Sequence, residues 1–334
     1  VTPPTPAGAP ASASRAGVVV TEEPVCPFGR CRPGVDADLV GSGWDFEYDT
    51  TRDEFELVRC RSCALVHLRR LPAAEAMHVI YPSDYYSFSE AATERGIVKW
   101  VRDRIEIGKG RTYTALVGDR PATVLDIGCG DGRLLHILRR RCPPTWRYAG
   151  IELSEPAAAR ARAAGFETRS GDFESVEVSD WEQRFDLALM HQVLEHTRHP
   201  RRALDKARGL LRPGGILSVE TPDVAAWDFR LFQRRYWGGY HIPRHFFLFG
   251  KANIGHLAAE AGFAVISCRS ILSPVFWVHS LHNALVDHAR TQSLARRVRP
   301  QNPLLLAIAT TIEIVQTRLF GQSSNMQVIL RRVD

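Results

Sequence analysis

Val124-Leu125-Asp126-Ile127-Gly128-Cys129-Gly130-Asp131-Gly132 runs from a β-rich stretch directly into three glycines spaced two apart. The helical pattern Leu134–Arg141 follows at once. Glycines let a backbone turn tightly and approach a ligand closely, and the next helix presents its free amides and positive dipole end to that ligand. A dinucleotide site uses a similar turn, but its fingerprint needs the third glycine where Arg133 stands. Here that glycine is Gly132, and Asp126 at the strand end would repel a pyrophosphate.

The chain on either side alternates in the same manner. Ala122–Ile127 reads as a strand, Trp146–Glu152 as a second, Phe166–Ser170 as a third and Phe185–His191 as a fourth. Helices are expected at Leu134–Arg141, near Glu155–Ala164 and at Pro200–Leu211, the last stopped by Arg212-Pro213-Gly214-Gly215. Gly215–Thr221 is a fifth strand. Such alternation predicts an α/β fold with helices on both faces of a parallel sheet. Asn253–Ala261 is a further helix ended by Gly262. Phe263–Arg269 and Met326–Val333 complete seven strands, with about 55 residues inserted between the last two.

The nonapeptide resembles motif I of class I S-adenosylmethionine-dependent methyltransferases, and the likeness extends over at least residues 122–270. It implies a Rossmann-like seven-stranded sheet whose last strand runs antiparallel. It also implies S-adenosylmethionine as cofactor, with Asp126 near its ammonium and Gly128 and Gly130 beneath it. A cationic amino group and the lack of phosphate suit Asp126. By the same resemblance Glu152 accepts bonds from the ribose hydroxyls, and Asp172 receives the adenine amino group with Phe173 beside the ring.

His191-Gln192-Val193-Leu194-Glu195-His196 resembles the segment beside the methyl group in small-molecule methyltransferases, ubiquinone-type O-methyltransferases among them. Some of those hold a divalent metal with Glu-x-x-Glu-His. Gln192 replaces the first acid, which weakens a hard-cation site, so no catalytic metal is expected. Glu195 and His196 are read as loop-holding groups, and His191 as a contact to cofactor or substrate. Trp237 to Phe249 gathers aromatics and histidines where this fold builds a substrate lid. Arg244-His245-x-x-x-Phe249 resembles Glu-His-x-x-Tyr-Phe of nucleotide-sugar C-methyltransferases, in which the histidine is the base. His245 is therefore the first candidate for general base, His191 the rival and His241 a weaker third. A structural histidine bonding a loop carbonyl is the alternative for His245.

Four residues separate Cys26 from Cys31, two separate Cys60 from Cys63, and 28 lie between the pairs. Four thiolates so spaced match a structural zinc site. Arg59-Cys60-Arg61-Ser62-Cys63-Ala64-Leu65-Val66 resembles the zinc-ribbon knuckle that heads many bacterial small-molecule methyltransferases. The first pair departs from it, since Gly29 stands where a cysteine is usual; Cys31 is the substitute, and a metal-free ribbon the alternative.

These readings divide the chain into a disordered tail at 1–24, a zinc ribbon at 25–72 and a helical lead-in at 73–120. The S-adenosylmethionine-binding core follows at 121–270 with its lid at 223–250, then a helical insertion and last strand at 271–334. Of 334 residues, 45% are hydrophobic and 24% charged, ordinary for a globular protein. Seven cysteines, an odd number, and an apolar run at Val18–Val20 too short for a signal-peptide core point to a reduced, cytoplasmic setting. Net charge is +6, but the basic residues are spread out, which disfavours a nucleic-acid partner. Pro303–Phe320 has about the shortest length that spans a bilayer. Glu313 and Arg318 lie inside it, at a cost of about 2.5–3.5 kcal/mol for a charge at the centre. It is expected to be a buried or interfacial helix, which leaves peripheral membrane contact open. The expected activity is methyl transfer to oxygen or carbon of a small molecule, such as a nucleotide-linked sugar or natural-product intermediate. An RNA base methyltransferase and a non-methylating protein of the same fold are the alternatives.

Overall fold

The computed structural model describes residues 20–31, 36–81 and 108–334. The tail up to residue 19 and the middle of the lead-in, 82–107, lie outside the described residues. The core sheet comprises β1 (Thr123–Ile127), β2 (Arg147–Glu152), β3 (Glu167–Ser170), β4 (Phe185–His191), β5 (Leu211–Pro222), β6 (Phe263–Ile271) and β7 (Asn325–Arg332). Their spatial order is β6-β7-β5-β4-β1-β2-β3. β1 to β5 are parallel, and β7 runs antiparallel between β5 and β6, with Val219 opposite Val328 and Val265 opposite Leu330. β5 is longer than its sequence suggests. Arg212-Pro213-Gly214-Gly215 forms an irregularity inside the strand, with Gly214 at a φ of 72°, before pairing resumes at Ile216.

β4 shows why this sheet forms: every side chain from Phe185 to Met190 is buried, as both faces of a central parallel strand require. At β1 the chain order reverses, because β2 lies on one side and β4 on the other. Ligands of open α/β sheets bind at the carboxyl ends of the strands beside such a switch point. Asp126, Glu152, His191 and Glu220 all stand near those ends.

A second, four-stranded sheet joins Ala37–Gly43, Phe55–Cys60 and Val66–Leu68 to Phe247–Leu248 of the lid. Phe247 pairs with His67 and Leu248 with Val66, so ribbon and lid share one sheet. A buried ion pair fastens the junction. Arg244, fully enclosed, donates to both oxygens of Asp45 at 3.1 and 2.9 Å and to the Ile80 carbonyl at 2.6 Å. Its place in the lid motif, where the resembling family has Glu, is explained by this partner.

The insertion between β6 and β7 holds helices at Val275–Val286, Gln292–Ala295 and Pro303–Phe320. The last is not a core helix: Ala309, Glu313 and Gln316 are its buried side chains, and most of its apolar residues face outward.

Removing one member of a buried pair costs about 3–5 kcal/mol, because the other charge is left unpaired out of water. Arg244→Ala should lower stability in denaturant titration by that amount. A loss under about 1 kcal/mol, the size of an exposed pair, would contradict the role given to Asp45.

Candidate functional site

The glycine turn after β1 is built as its sequence demands. Gly128, Gly130 and Gly132 have φ of 79°, 56° and 83°, a region that L side chains rarely adopt. A Cβ on Gly128 would stand 2.7 Å from the Val193 side chain. The Gly128 and Cys129 amides both bond the Ile151 carbonyl of β2, at 2.8 and 3.1 Å. Glu152 follows on β2, 6% exposed, accepting from the Gly130 amide at 2.8 Å and the Ser154 amide at 2.9 Å. A carboxylate offers about four lone-pair sites, and the Leu153 amide adds to the two bonds just named. Burial raises its pKa while the backbone bonds pull it down. Asp126 is buried at the end of β1. Asp172 is exposed beyond β3 and accepts from the Glu174 amide at 3.0 Å. Phe173 turns instead into the main core, 5% exposed, with the Lys206 ammonium 5.3 Å from its ring centroid.

On the other side of β1 lies a polar network that the sequence reading missed in part. His191 ends β4 in register with Glu220 of β5. Lys109 donates to Glu220 at 2.8 Å and lies 3.5 Å from His191 Nδ1, which is 3.7 Å from the same carboxylate. His191 Nε2 meets the Tyr113 hydroxyl at 3.1 Å and Ser218 Oγ at 3.2 Å, and Gln327 of β7 donates to Glu220 at 2.9 Å. Burial holds the His191 pKa down to about 3, with Lys109 helping and Glu220 opposing, so the imidazole is neutral near pH 7. The signal for Glu220 was a lone charge within the apolar run of β5.

The lid histidines are enclosed. His245 is 3% exposed, its Nδ1 bonds the Gly239 carbonyl at 2.8 Å, and its ring packs 4.6 Å from that of His196 and 5.1 Å from that of His241. His241 pairs with Glu47 of the ribbon at 2.9 Å. Burial would raise Glu47, but His241 and His279 outweigh it and hold the carboxyl at about 2.

A model of the family described as Methyltransferase domain matches residues 100–268, half of the chain. This chain belongs to the methyltransferase-domain family. Among its relatives, an uncharacterised 37.1 kDa protein in a transposon of Streptomyces fradiae is 34% identical over 128 residues, 35% of this chain and 36% of that protein. A trans-aconitate 2-methyltransferase of Deinococcus radiodurans is 28% identical over 42% of this chain and 48% of its own. The chain thus spans about a third to a half of the length of these relatives. The crystal structure of a 1,6-didemethyltoxoflavin-N1-methyltransferase of Burkholderia thailandensis superposes with a TM-score of 0.49. It is 17% identical and covers 84% of this chain and 96% of that one.

Outside the matched domain, three of the four N-terminal cysteines converge. Cys26 and Cys31 sulfurs lie 3.3 Å apart, and those of Cys26, Cys31 and Cys63 are within 4.8 Å of one another, with Cys60 buried at the end of its strand outside that group. Gly29 occupies the tight turn at a φ of 62°, bonding the Cys26 carbonyl, and Cys31 reaches the cluster two residues later.

Glu195 and His196 are brought against His245, their ligating atoms within 4.8 Å. His196 Nδ1 faces the Arg244 carbonyl at 3.1 Å. Neither Glu195 oxygen meets a hydrogen-bond partner among the described residues, and His245 Nε2 is 4.0 Å away. Burial pushes the Glu195 carboxyl from 4.5 up to about 8. It is therefore neutral when folded and ionised when unfolded over that window. Its contribution to stability is fully present below about pH 4.5 and lost as pH rises toward about 8. Glu195→Gln, neutral at every pH, should gain in melting temperature relative to wild type as pH rises across this range. A difference independent of pH would contradict the assignment.

Proposed function

We propose that this protein transfers the methyl group of S-adenosylmethionine to an oxygen or carbon of a small molecule, a nucleotide-linked sugar or natural-product intermediate being the class favoured. The observation that carries this reading is the Glu152 carboxylate, fixed by backbone amides at the end of β2 beside the glycine turn. The ribose hydroxyls would bond to it. Asp126 would face the ammonium, Gly128 and Gly130 would lie beneath the cofactor, and Asp172 would accept from the adenine amino group. Phe173 supports that loop from the core. Bound there, the sulfonium supplies an already activated methyl group. The chain has to align the acceptor, keep water out and take one proton.

For the proton, His191 fits better than His245. It stands at the carboxyl edge of the sheet beside β1, and Glu220 is close enough to stabilise an imidazolium. His245 and His241 serve the lid, the first through the Gly239 carbonyl and the second through Glu47. Cys26, Cys31, Cys60 and Cys63 would hold one structural zinc in a tetrahedron of thiolates.

Methyl-labelled S-adenosylmethionine incubated with the protein and a cell extract should deliver label to the small-molecule fraction. His191→Ala should cut this by about 10²–10⁴-fold, whereas His245→Asn should act chiefly on stability. Label in RNA, or none in any fraction, would overturn the proposal. Elemental analysis should find about one zinc per chain, and Cys60→Ser should lower the melting temperature. Metal-free protein of full stability would remove the zinc.

A further inference from the structure

The helix Pro303–Phe320 reverses the usual amphipathic arrangement, in which the apolar stripe faces the core. Leu304, Ile308, Ile312, Val315 and Leu319 recur at spacings of three and four, so they share one face, and they are between 42% and 70% exposed. The inward face is mixed: Ala309 and Leu305 pack with Val278 and Val298, and Glu313 and Gln316 are buried beside them. Glu313, wholly buried, accepts from the Ser273 amide at 2.8 Å, Ser323 Oγ at 2.6 Å and the Ser324 amide at 3.1 Å. Asn302 caps the first turn, and Gly321, at a φ of 67°, leads directly toward β7. The bonds of Glu313 to residues before and after the helix hold its inner side against the body.

The apolar face continues past the helix. The Phe320 ring stacks on Trp227 at 6.3 Å with an interplanar angle of 2°, and Trp227 and its helical neighbour Leu231 are both exposed. Charge frames this face with one sign. Between His288 and Phe320 the chain carries Arg290, Arg296, Arg297, Arg299 and Arg318, all exposed, and its one acid there is the buried Glu313. The arginines lie before the start of the stripe and beside its end.

We propose that this face docks in the plane of an anionic phospholipid bilayer, with the stripe and Trp227 at the boundary between headgroups and acyl chains and the arginines on the phosphates. An in-plane helix binds by buried apolar area together with attraction to anionic lipid, and this segment carries both an exposed apolar stripe and exposed arginines. Tryptophan suits the interface because its ring is apolar with a polar edge. A second copy of the chain is a poorer occupant, since it would set one cluster of arginines against another with no exposed acid in the segment to pair them.

The test is flotation of the full chain with vesicles of phosphatidylcholine alone, or with roughly one-third phosphatidylglycerol. Binding should be at least about tenfold stronger to the anionic vesicles and should fall with added salt. Ile308→Asp with Ile312→Asp should abolish flotation, and Arg296→Glu with Arg297→Glu and Arg299→Glu should remove the preference for anionic lipid. Because these side chains are exposed, both variants should keep the wild-type melting temperature, which separates lost docking from lost folding. No flotation of the wild type, or flotation unchanged in the variants, would overturn the proposal. So would a wild-type dimer that the Ile308→Asp, Ile312→Asp variant converts to monomer, which would assign the face to a second copy.

Discussion

A guanidinium withdrawn wholly from water must have its partners brought to it, and those of Arg244 come from separate parts of the chain. Asp45 belongs to the ribbon, Ile80 to the segment after it, and Ile242 to the lid itself. Satisfying these donors holds the ribbon strands against the lid, and Phe247–Leu248 then completes the ribbon sheet. Once the two are fastened, His241 meets Glu47, and His245 is closed in against His196 and the Gly239 carbonyl. The cysteine cluster lies in the same ribbon, so a metal there would stiffen the partner on which the lid rests.

The core sheet imposes the complementary constraint. Parallel strands send every carboxyl end to one edge, and the reversal of order at β1 opens that edge between β2 and β4. Acids gather on the β2 side, where a cationic, phosphate-free ligand would need them. On the β4 side a neutral imidazole, a carboxylate and an ammonium lie in mutual contact.

Much of this was legible in the sequence, for local reasons. The glycine motif states its own turn, strand–helix alternation states the sheet, and the strand-end acids follow from strand boundaries. What was not legible depends on contacts between distant residues. Asp45 and Arg244 are 199 residues apart, and nothing near either one announces the other. Lys109 lay in a segment read only as helical, and Glu220 was hidden in an apolar strand, so the network around His191 could not be assembled from spacing. The histidine-rich lid was visible, but whether a histidine faces a ligand or a carbonyl depends on how the ribbon packs upon it. In Pro303–Phe320 the periodicity was plain, yet the buried face was chosen by the partners of Glu313 rather than by the apolar stripe.

Calorimetric titration with S-adenosylhomocysteine tests the Glu152 cradle most directly. The wild-type chain should bind. Glu152→Ala should weaken binding at least about tenfold, since two bonds to a charged group, each of order 1.5–3 kcal/mol, would be lost. A wild type that binds neither S-adenosylhomocysteine nor S-adenosylmethionine, or a variant that binds as tightly as wild type, would contradict it.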